Sequence, residues 1–418
     1  MSTSTLTSQI RAQLMAIGLA GFASMASMRA CDSVLPALAS GFSATTSAAA
    51  QTISGFAIAY GVMQFFLGPL GDRLGKPRVI GWAVMACACA NVGIALSDSL
   101  DAIIAGRVLA GAAGGGIVPL SLAHIGDTVT YERRQVALSR LLLATISGMV
   151  AGQWLGGVIA QAWGWQWVFA VLAVLFGAAS LALFWTGRQL RGPSAGSAGQ
   201  ASTAKGHIPS PGLLRQMQTL VSLRWTRRVL ITVALEGAIA MAGFTFVPTY
   251  MHERFGLSLA AAGGIMAFFG LGGLIYAVFA PWIIRRLGER GMALGGGVGL
   301  GLSMACLAWS PDWSWAPAAC LLGGLSFYLL HNTLQANATQ MHPAMRGTAV
   351  SLFASSLFCG QSLGVVAAAW IADLGSLRAV FALSAVLLPL LGAWFWQGLA
   401  RRDEWQSAQA GITAHPPS

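Results

Sequence analysis

The stretch Gly68–Arg78, "GPLGDRLGKPR", decides how the rest of this chain is read. It crowds Asp72, Arg73, Lys76 and Arg78 into one short turn, between a long apolar run and the equally apolar "VIGWAVMACACANVGIAL". Charge is scarce elsewhere: 9% of the 418 residues are charged and 56% are hydrophobic, where a soluble domain carries about 25% charged residues. A water-soluble core of this length cannot bury so much apolar sequence, so the solvent it implies is lipid. A charged turn between two apolar runs is then a loop joining two membrane-spanning helices.

Outward from that loop, apolar segments recur near residues 13–36, 48–70, 79–97, 101–123, 136–160, 164–187, 228–250, 258–283, 292–310, 315–337, 347–371 and 378–399. Each approaches or exceeds the roughly 17–25 residues of a spanning helix, and none alternates with period two as a barrel strand would. The expected fold is an all-α polytopic membrane protein of about twelve transmembrane helices. The first segment runs on into Arg29 and Asp32 without a small-residue cleavage site, and reads as a retained helix rather than a signal peptide.

Of the 24 Lys and Arg, all but Arg29, Arg107, Arg254 and Arg378 fall on the side of the Gly68–Arg78 loop or in the tails and linker that share it. Positive charge concentrates on the cytoplasmic side of polytopic proteins. The net charge of +11 therefore reads as topology, not as a nucleic-acid surface. It predicts a multi-pass protein of a bacterial-type inner membrane with both termini cytoplasmic. The six cysteines all lie within predicted spans and show no metal-site spacing, so neither metal nor cofactor is expected.

The segment beginning "RGPSAGSAGQASTAKGHIPSP" interrupts the pattern with Gly, Ser, Ala and Pro, as a flexible linker does, and a short interfacial helix is expected at its end. The expected organisation is an N-terminal stretch 1–12, a six-helix bundle 13–187, a linker 188–227, a second bundle 228–399 and a tail 400–418. The halves echo each other. "GQWLGGV" (Gly152–Val158) returns as "GQSLGVV" (Gly360–Val366), Val168-Phe169 as Val380-Phe381, and "RLG" at Arg73–Gly75 as "RLG" at Arg286–Gly288. Matches in order at nearly constant offset argue for a duplicated six-helix unit, an architecture common among transporters, with the substrate site near mid-membrane between the repeats.

In the opening stretch, Gly68 and Gly71 are expected to let a neighbouring helix approach. Gly75 and Pro77 shape the turn, and Asp72 is held among cations or caps a helix N-terminus. The stretch resembles the loop signature of the major facilitator superfamily, G-x-L-a-D-r-x-G-r-k, carried here by Gly68, Leu70, Asp72, Arg73, Gly75 and Lys76. The resemblance implies that this loop latches the two halves together on the inner side when the transporter faces out. The second copy has Pro281 and Arg285 where the first has Gly68 and Asp72. "GRVLAGAAGGG" (Gly106–Gly116) is similar to the family's fourth-helix pattern through Arg107, Gly111 and Gly115. "GMVAGQWLGG" (Gly148–Gly157) is similar to the fifth-helix antiporter pattern through Gly148, Gly152, Gly156 and Gly157, with Gln153 in the place of Pro. "CDSVLP" (Cys31–Pro36) resembles the D-x-x-x-P of drug–proton antiporters.

Charges at membrane depth cost a few kcal/mol and so are candidates for function. Arg29 and Asp32, three apart, share a face of the first helix, and Arg107 lies at similar height. They form either a cluster that neutralises itself or a proton site at Asp32 tuned by Arg107, and Arg29 is a candidate for attracting an anionic substrate group. Glu236, alone in the seventh helix, is expected at the depth of His331 and Asn332 in the tenth. The resemblance places these helices around a central substrate cavity lined by Glu236, His331 and Asn332, where Glu236 takes either a structural role or a substrate-binding or proton-coupling one. The expected partners are a small-molecule substrate, protons and the lipid bilayer, with a monomer as the working unit. The leading expectation is a secondary transporter exporting a small organic molecule against protons by alternating access; the alternative is an uptake permease of the same fold. No Walker loop, metalloprotease cluster or soluble catalytic domain is present in the sequence, so no enzyme is expected.

Overall fold

A computed structural model describes residues 3–129, 131–189, 213–342 and 345–414, with side chains described for 11–129, 134–187, 213–342 and 345–402. Residues 190–212 of the expected linker and 415–418 of the expected tail lie outside the described residues. The apolar runs form α1 (Arg11–Gly41), α2 (Thr46–Leu74), α3 (Lys76–Ala95), α4 (Leu100–Thr128), α5 (Arg134–Trp163) and α6 (Trp165–Gly187). A second set follows: α7 (Arg224–Phe255), a 51-residue run Leu259–Trp309, α10 (Trp313–Gln340), α11 (Arg346–Asp373) and α12 (Leu377–Arg402). At ~1.5 Å per residue the 51-residue run is more than twice the ~30 Å hydrocarbon core. It breaks at Gly288, whose φ of 61° and ψ of 179° are non-helical. The run is therefore α8 (259–287) and α9 (289–309), and the described residues hold twelve helices long enough to cross a membrane. Lipid favours this all-helical solution because each helix satisfies its own backbone polar groups.

Local chemistry sets the turns. Thr45, Ser99 and Ser258 cap α2, α4 and α8 by accepting the N–H of Ala48, Ala102 and Ala261. The opening stretch turns at Gly75, where φ is +91°, a conformation that costs an L-residue about 1–2 kcal/mol. Gly288, in the matching "RLG" of the second half, also has positive φ, so the two copies share a backbone break as well as a motif. A short helix, Leu213–Ser222, precedes α7 and buries Leu220. Its Gln216 accepts a 2.6 Å hydrogen bond from Thr348 of α11, which fastens it to the second half.

The repeat also recurs in the packing. A Cβ on Gly148, Gly152 or Gly156 would run into the backbone carbonyl oxygen of Phe22, Ala26 or Ala30, so the fifth-helix glycines bring α5 flush against α1. In the second half a Cβ on Gly360 or Gly364 would run into the carbonyl oxygen of Ala234 or Ala238, bringing α11 against α7. Gly360 and Ala234 each lie 208 residues beyond Gly152 and Ala26, and Gly364 and Ala238 lie 208 beyond Gly156 and Ala30. Small residues of this kind allow close backbone contact where lipid supplies no hydrophobic drive between helices.

Among the described residues, the hydrogen bonds joining the halves lie at mid-depth and beyond, away from the basic loops. Ser355 and Ser362 of α11 donate to the carbonyls of Gly61 and Ser54 on α2, at 2.6 and 2.9 Å. The N–H of Ser47 donates to both oxygens of Asp373 at 3.2 Å, and that of Ala260 to Gln161 at 3.2 Å. Gly157 faces not α1 but the carbonyl of Leu259 on α8. The end remote from the basic loops is thus closed. Near the basic end, Gln335 and Thr339 of α10 are exposed.

Candidate functional site

The buried charges gather where α1, α5 and α7 meet. Asp32 is fully buried, and its Oδ2 accepts from Arg29 at 3.2 Å and from the Gln153 side-chain amide at 3.0 Å. The Gly148–Gly156 seam makes this possible by bringing α5 against α1. Ser33 reinforces the contact by donating to the Gln153 carbonyl at 2.7 Å. Oδ1 of Asp32 has no partner. An unpartnered oxygen on a buried carboxylate is costly.

Arg29 reaches out of its own half. Its guanidinium lies 2.9 Å from the Met241 sulfur and 3.5 Å from the Thr245 hydroxyl, both on α7. The same side chain therefore touches the Asp32 carboxylate and the opposite bundle. Met241 closes a π-helical turn, Gly237–Met241, that begins directly after Glu236. Turns of this kind re-aim side chains and recur at functional sites.

Arg107 departs from expectation. It is fully buried at the same level but forms no ion pair with Asp32. Its Nε donates to the Thr52 carbonyl at 3.1 Å, and one terminal nitrogen donates to the Ser27 carbonyl and hydroxyl at 2.9 and 3.2 Å. The guanidinium also lies 4.0 Å from the Phe56 ring centroid. The reason is local: a Cβ at Gly111 or Gly115 would collide with the Phe56 or Tyr60 carbonyl, so α4 lies tight on α2 and the nearest acceptors are backbone oxygens. Arg107 ties α1, α2 and α4 together, and Gln153 occupies the place beside Asp32 expected for it. Its echo at Gln361 in the second half reads Gln153 as packing glue; its position in place of Pro, next to Gly152, is the signal that it lies close to α1.

Glu236 and His331 do meet, with the His331 Nδ1 2.8 Å from Glu236 Oε2. Glu236 is fully buried and its Oε1 has no partner. Phe327 stacks on the His331 ring at 4.9 Å, and Phe353 flanks it at 5.4 Å. Asn332, one residue on, points elsewhere, toward the Tyr276 hydroxyl of α8. Both acids thus sit at mid-depth, one in each half. Arg29 reaches α7 about a turn beyond Glu236.

The expected latch residues lie at the basic end. Lys76 bridges Asp72 at 3.0 Å and Asp127 of α4 at 2.7 Å, so the loop is fastened to its own half. A Cβ at Gly71 would collide with Leu120, as close approach requires, whereas at Gly68 it would meet nothing within 4 Å. Gly68 therefore faces open space, and only Gly71 seats α4. Asp72 caps no helix; its side chain is exposed and pairs with Lys76 one turn on. In the second half Glu289 follows Gly288 as Lys76 follows Gly75. It accepts from Arg402 at 2.9 Å, and Arg402 also donates to Asn337 at 2.5 Å. Among the described residues no group of three or more His, Cys, Asp or Glu could hold a metal ion.

The sequence model of the Major Facilitator Superfamily matches residues 17–356. Over 387 residues the chain is 24% identical to the uncharacterized MFS-type transporter YceJ of Bacillus subtilis (strain 168), covering 90% of this chain and 93% of that protein. It is 26% identical over 163 residues to the multidrug export protein EmrB of Escherichia coli (strain K12), covering 39% of this chain and only 32% of EmrB. Its fold is similar to that of the nucleoside transporter NupG, with a TM-score of 0.70 and 14% identity, covering 92% of this chain and 98% of that one. It is also similar to that of a D-xylose-proton symporter, with a TM-score of 0.69 and 16% identity, covering 92% and 97%. Twelve crossings in two repeated halves, buried mid-membrane acids and a family match over most of the chain make one conclusion: this protein is a transporter of the major facilitator superfamily.

Proposed function

We propose that this transporter exports a small organic molecule in exchange for protons, with Asp32 carrying the proton. The observation behind the reading is the Gln153–Asp32–Arg29 chain, because Arg29 spans from the Asp32 carboxylate to α7 of the other half. Protonating Asp32 removes the anion that holds Arg29 and weakens the contact between halves at that depth. Proton occupancy thereby biases which end is open. An aspartate in the first helix and the fifth-helix glycines support this reading, as does the likeness to EmrB, named as a multidrug export protein.

With the basic loops in the cytoplasm of a bacterial-type inner membrane, the closed end is external and this conformation faces inward. The latch loop is then disengaged from the second half, and Lys76 is instead paired within the first. Arg29, Asp32 and Glu236 present both signs of charge at mid-depth, which favours a polar or zwitterionic substrate; fold analogy favours a monomer. Arg107 serves this machinery indirectly, by holding α1 against α2 and α4. The membrane potential adds about 2.3 kcal/mol per charge per 100 mV, enough to drive such an exchange.

A second reading is proton-coupled uptake, favoured by the buried Glu236–His331 pair and by the fold's likeness to a D-xylose-proton symporter. One experiment separates them. Inverted vesicles with an acidic interior, a pH-sensitive dye and a panel of small molecules are run with wild type, Asp32→Asn and Glu236→Gln. Export coupled through Asp32 predicts a compound that collapses the gradient with wild type and not with Asp32→Asn. Full proton-coupled transport by Asp32→Asn, lost instead in Glu236→Gln, overturns the assignment.

A further inference from the structure

Two grooves on the outer face of the first half adjoin at Leu74 and Trp82, which line both, and together make up a trough. The larger, about 980 Å³, runs between α2, α3 and α4 and is walled by apolar groups such as Leu70, Leu109 and Gly93. The smaller, about 560 Å³, lies at the basic end and is lined by Arg78, His124, Gln13 and Thr128. Along α3 the trough extends from Val79 to Gly93, about 21 Å at helical rise, which suits an extended hydrocarbon chain lying against the protein.

The mouth of the trough is unlike its body. His124 is 7% exposed, and its Nε2 is buried with no partner. Arg78 is exposed and makes no hydrogen bond or ion pair among the described residues. Asp72 and Asp127, the described carboxylates that pair at this loop, are both held by Lys76. Among the described residues Arg78 is therefore an unpaired cation at the head of an apolar trough. A guanidinium suits a phosphate, which it binds through paired N–H donors. Anionic lipids also gather around basic residues at the membrane surface.

We propose that this trough binds an anionic phospholipid, its phosphate held at Arg78 and His124 and an acyl chain lying along α2, α3 and α4. The charged mouth and apolar body match the two ends of one amphiphile. Neither a soluble anion nor a plain hydrocarbon would use both.

The test uses the purified full chain in an uncharged detergent, titrated with phosphatidylglycerol, phosphatidylcholine or inorganic phosphate. Bound lipid is read by native mass spectrometry and stabilisation by thermal unfolding. Wild type should retain phosphatidylglycerol over phosphatidylcholine. Arg78→Gln should weaken that binding about tenfold or more, as loss of a hydrogen bond to a charged group does. Arg224→Gln, an equal loss of exposed charge on the other half, should leave it intact. Gly93→Leu, at a site where an added Cβ meets nothing within 4 Å, should fill the apolar body and also lower retention. Equal retention of the two lipids overturns the proposal, as does equal loss in Arg78→Gln and Arg224→Gln. Stabilisation reproduced by inorganic phosphate would mark a small-anion site and overturn it too.

Discussion

Replacing Ser355 and Ser362 together by alanine should open the closed end. Each hydroxyl donates to a carbonyl of α2, at Gly61 and Ser54, so each bond exists only while the halves meet there. Interhelical hydrogen bonds in membranes average about 0.6 kcal/mol, so the pair contributes about 1.2 kcal/mol to one state and nothing to the other. A ligand or contact shifts a two-state equilibrium only by its differential free energy. Here that is about a sevenfold change in the population ratio, at tenfold per 1.4 kcal/mol. Alanine is the better helix former, so the folded fraction should not fall. The assay is the distribution of spin-label distances between Ser139 on α5 and Thr339 on α10, both exposed near the basic end, in a background with the native cysteines replaced. The population with widely separated basic ends should decline about sevenfold relative to the closed one, and each single substitution should give about a threefold change. An unchanged distribution in a fully folded double variant would refute the reasoning.

Other outcomes follow from the same geometry. Gly152→Ala places a Cβ against the Ala26 carbonyl, whereas at Gly177 nothing lies within 4 Å. Thermal unfolding should show a loss of about 1–3 kcal/mol for the first, as overpacking costs, and little change for Gly177→Ala. Gln153→Leu removes one of the two donors to the fully buried Asp32, and should destabilise by about 1–3 kcal/mol. Gln153→Asn paired with a longer acid at position 32 should recover part of that loss, measured in the same way.

Much of the fold is legible in the sequence because lipid imposes a simple rule: apolar length becomes a crossing. The twelve segments and the "RLG" repeat express it directly, and Gly75 and Gly288 carry the break that the repeat implies. The meeting of Glu236 with His331 is legible for a related reason, since equal depth on two central helices leaves few other partners. Rotation about the helix axis is less legible. Arg107 lies level with Asp32 yet bonds to backbone oxygens of α1 and α2, a choice set by how tightly Gly111 and Gly115 seat α4. Gly68 illustrates the same limit, because its match to a motif does not reveal which way it faces. Gln153 is hidden for the opposite reason: an amide in an apolar helix resembles packing until its neighbour is known.

At its outer end the seam between α5 and α8 is bare backbone, while further along Val150 and Trp154 lie against Gly270 and Gly264. A Cβ at Gly157 would strike the Leu259 carbonyl, and one at Gly263 would strike the Gln153 carbonyl. Surfaces of this kind have few interlocked side chains to withdraw, so parting them requires little change of rotamer. The friction against rocking is then low along this edge. Under the proposed exchange, the speed of the cycle would be governed by when Arg29 lets go of α7, rather than by how long this edge takes to come apart.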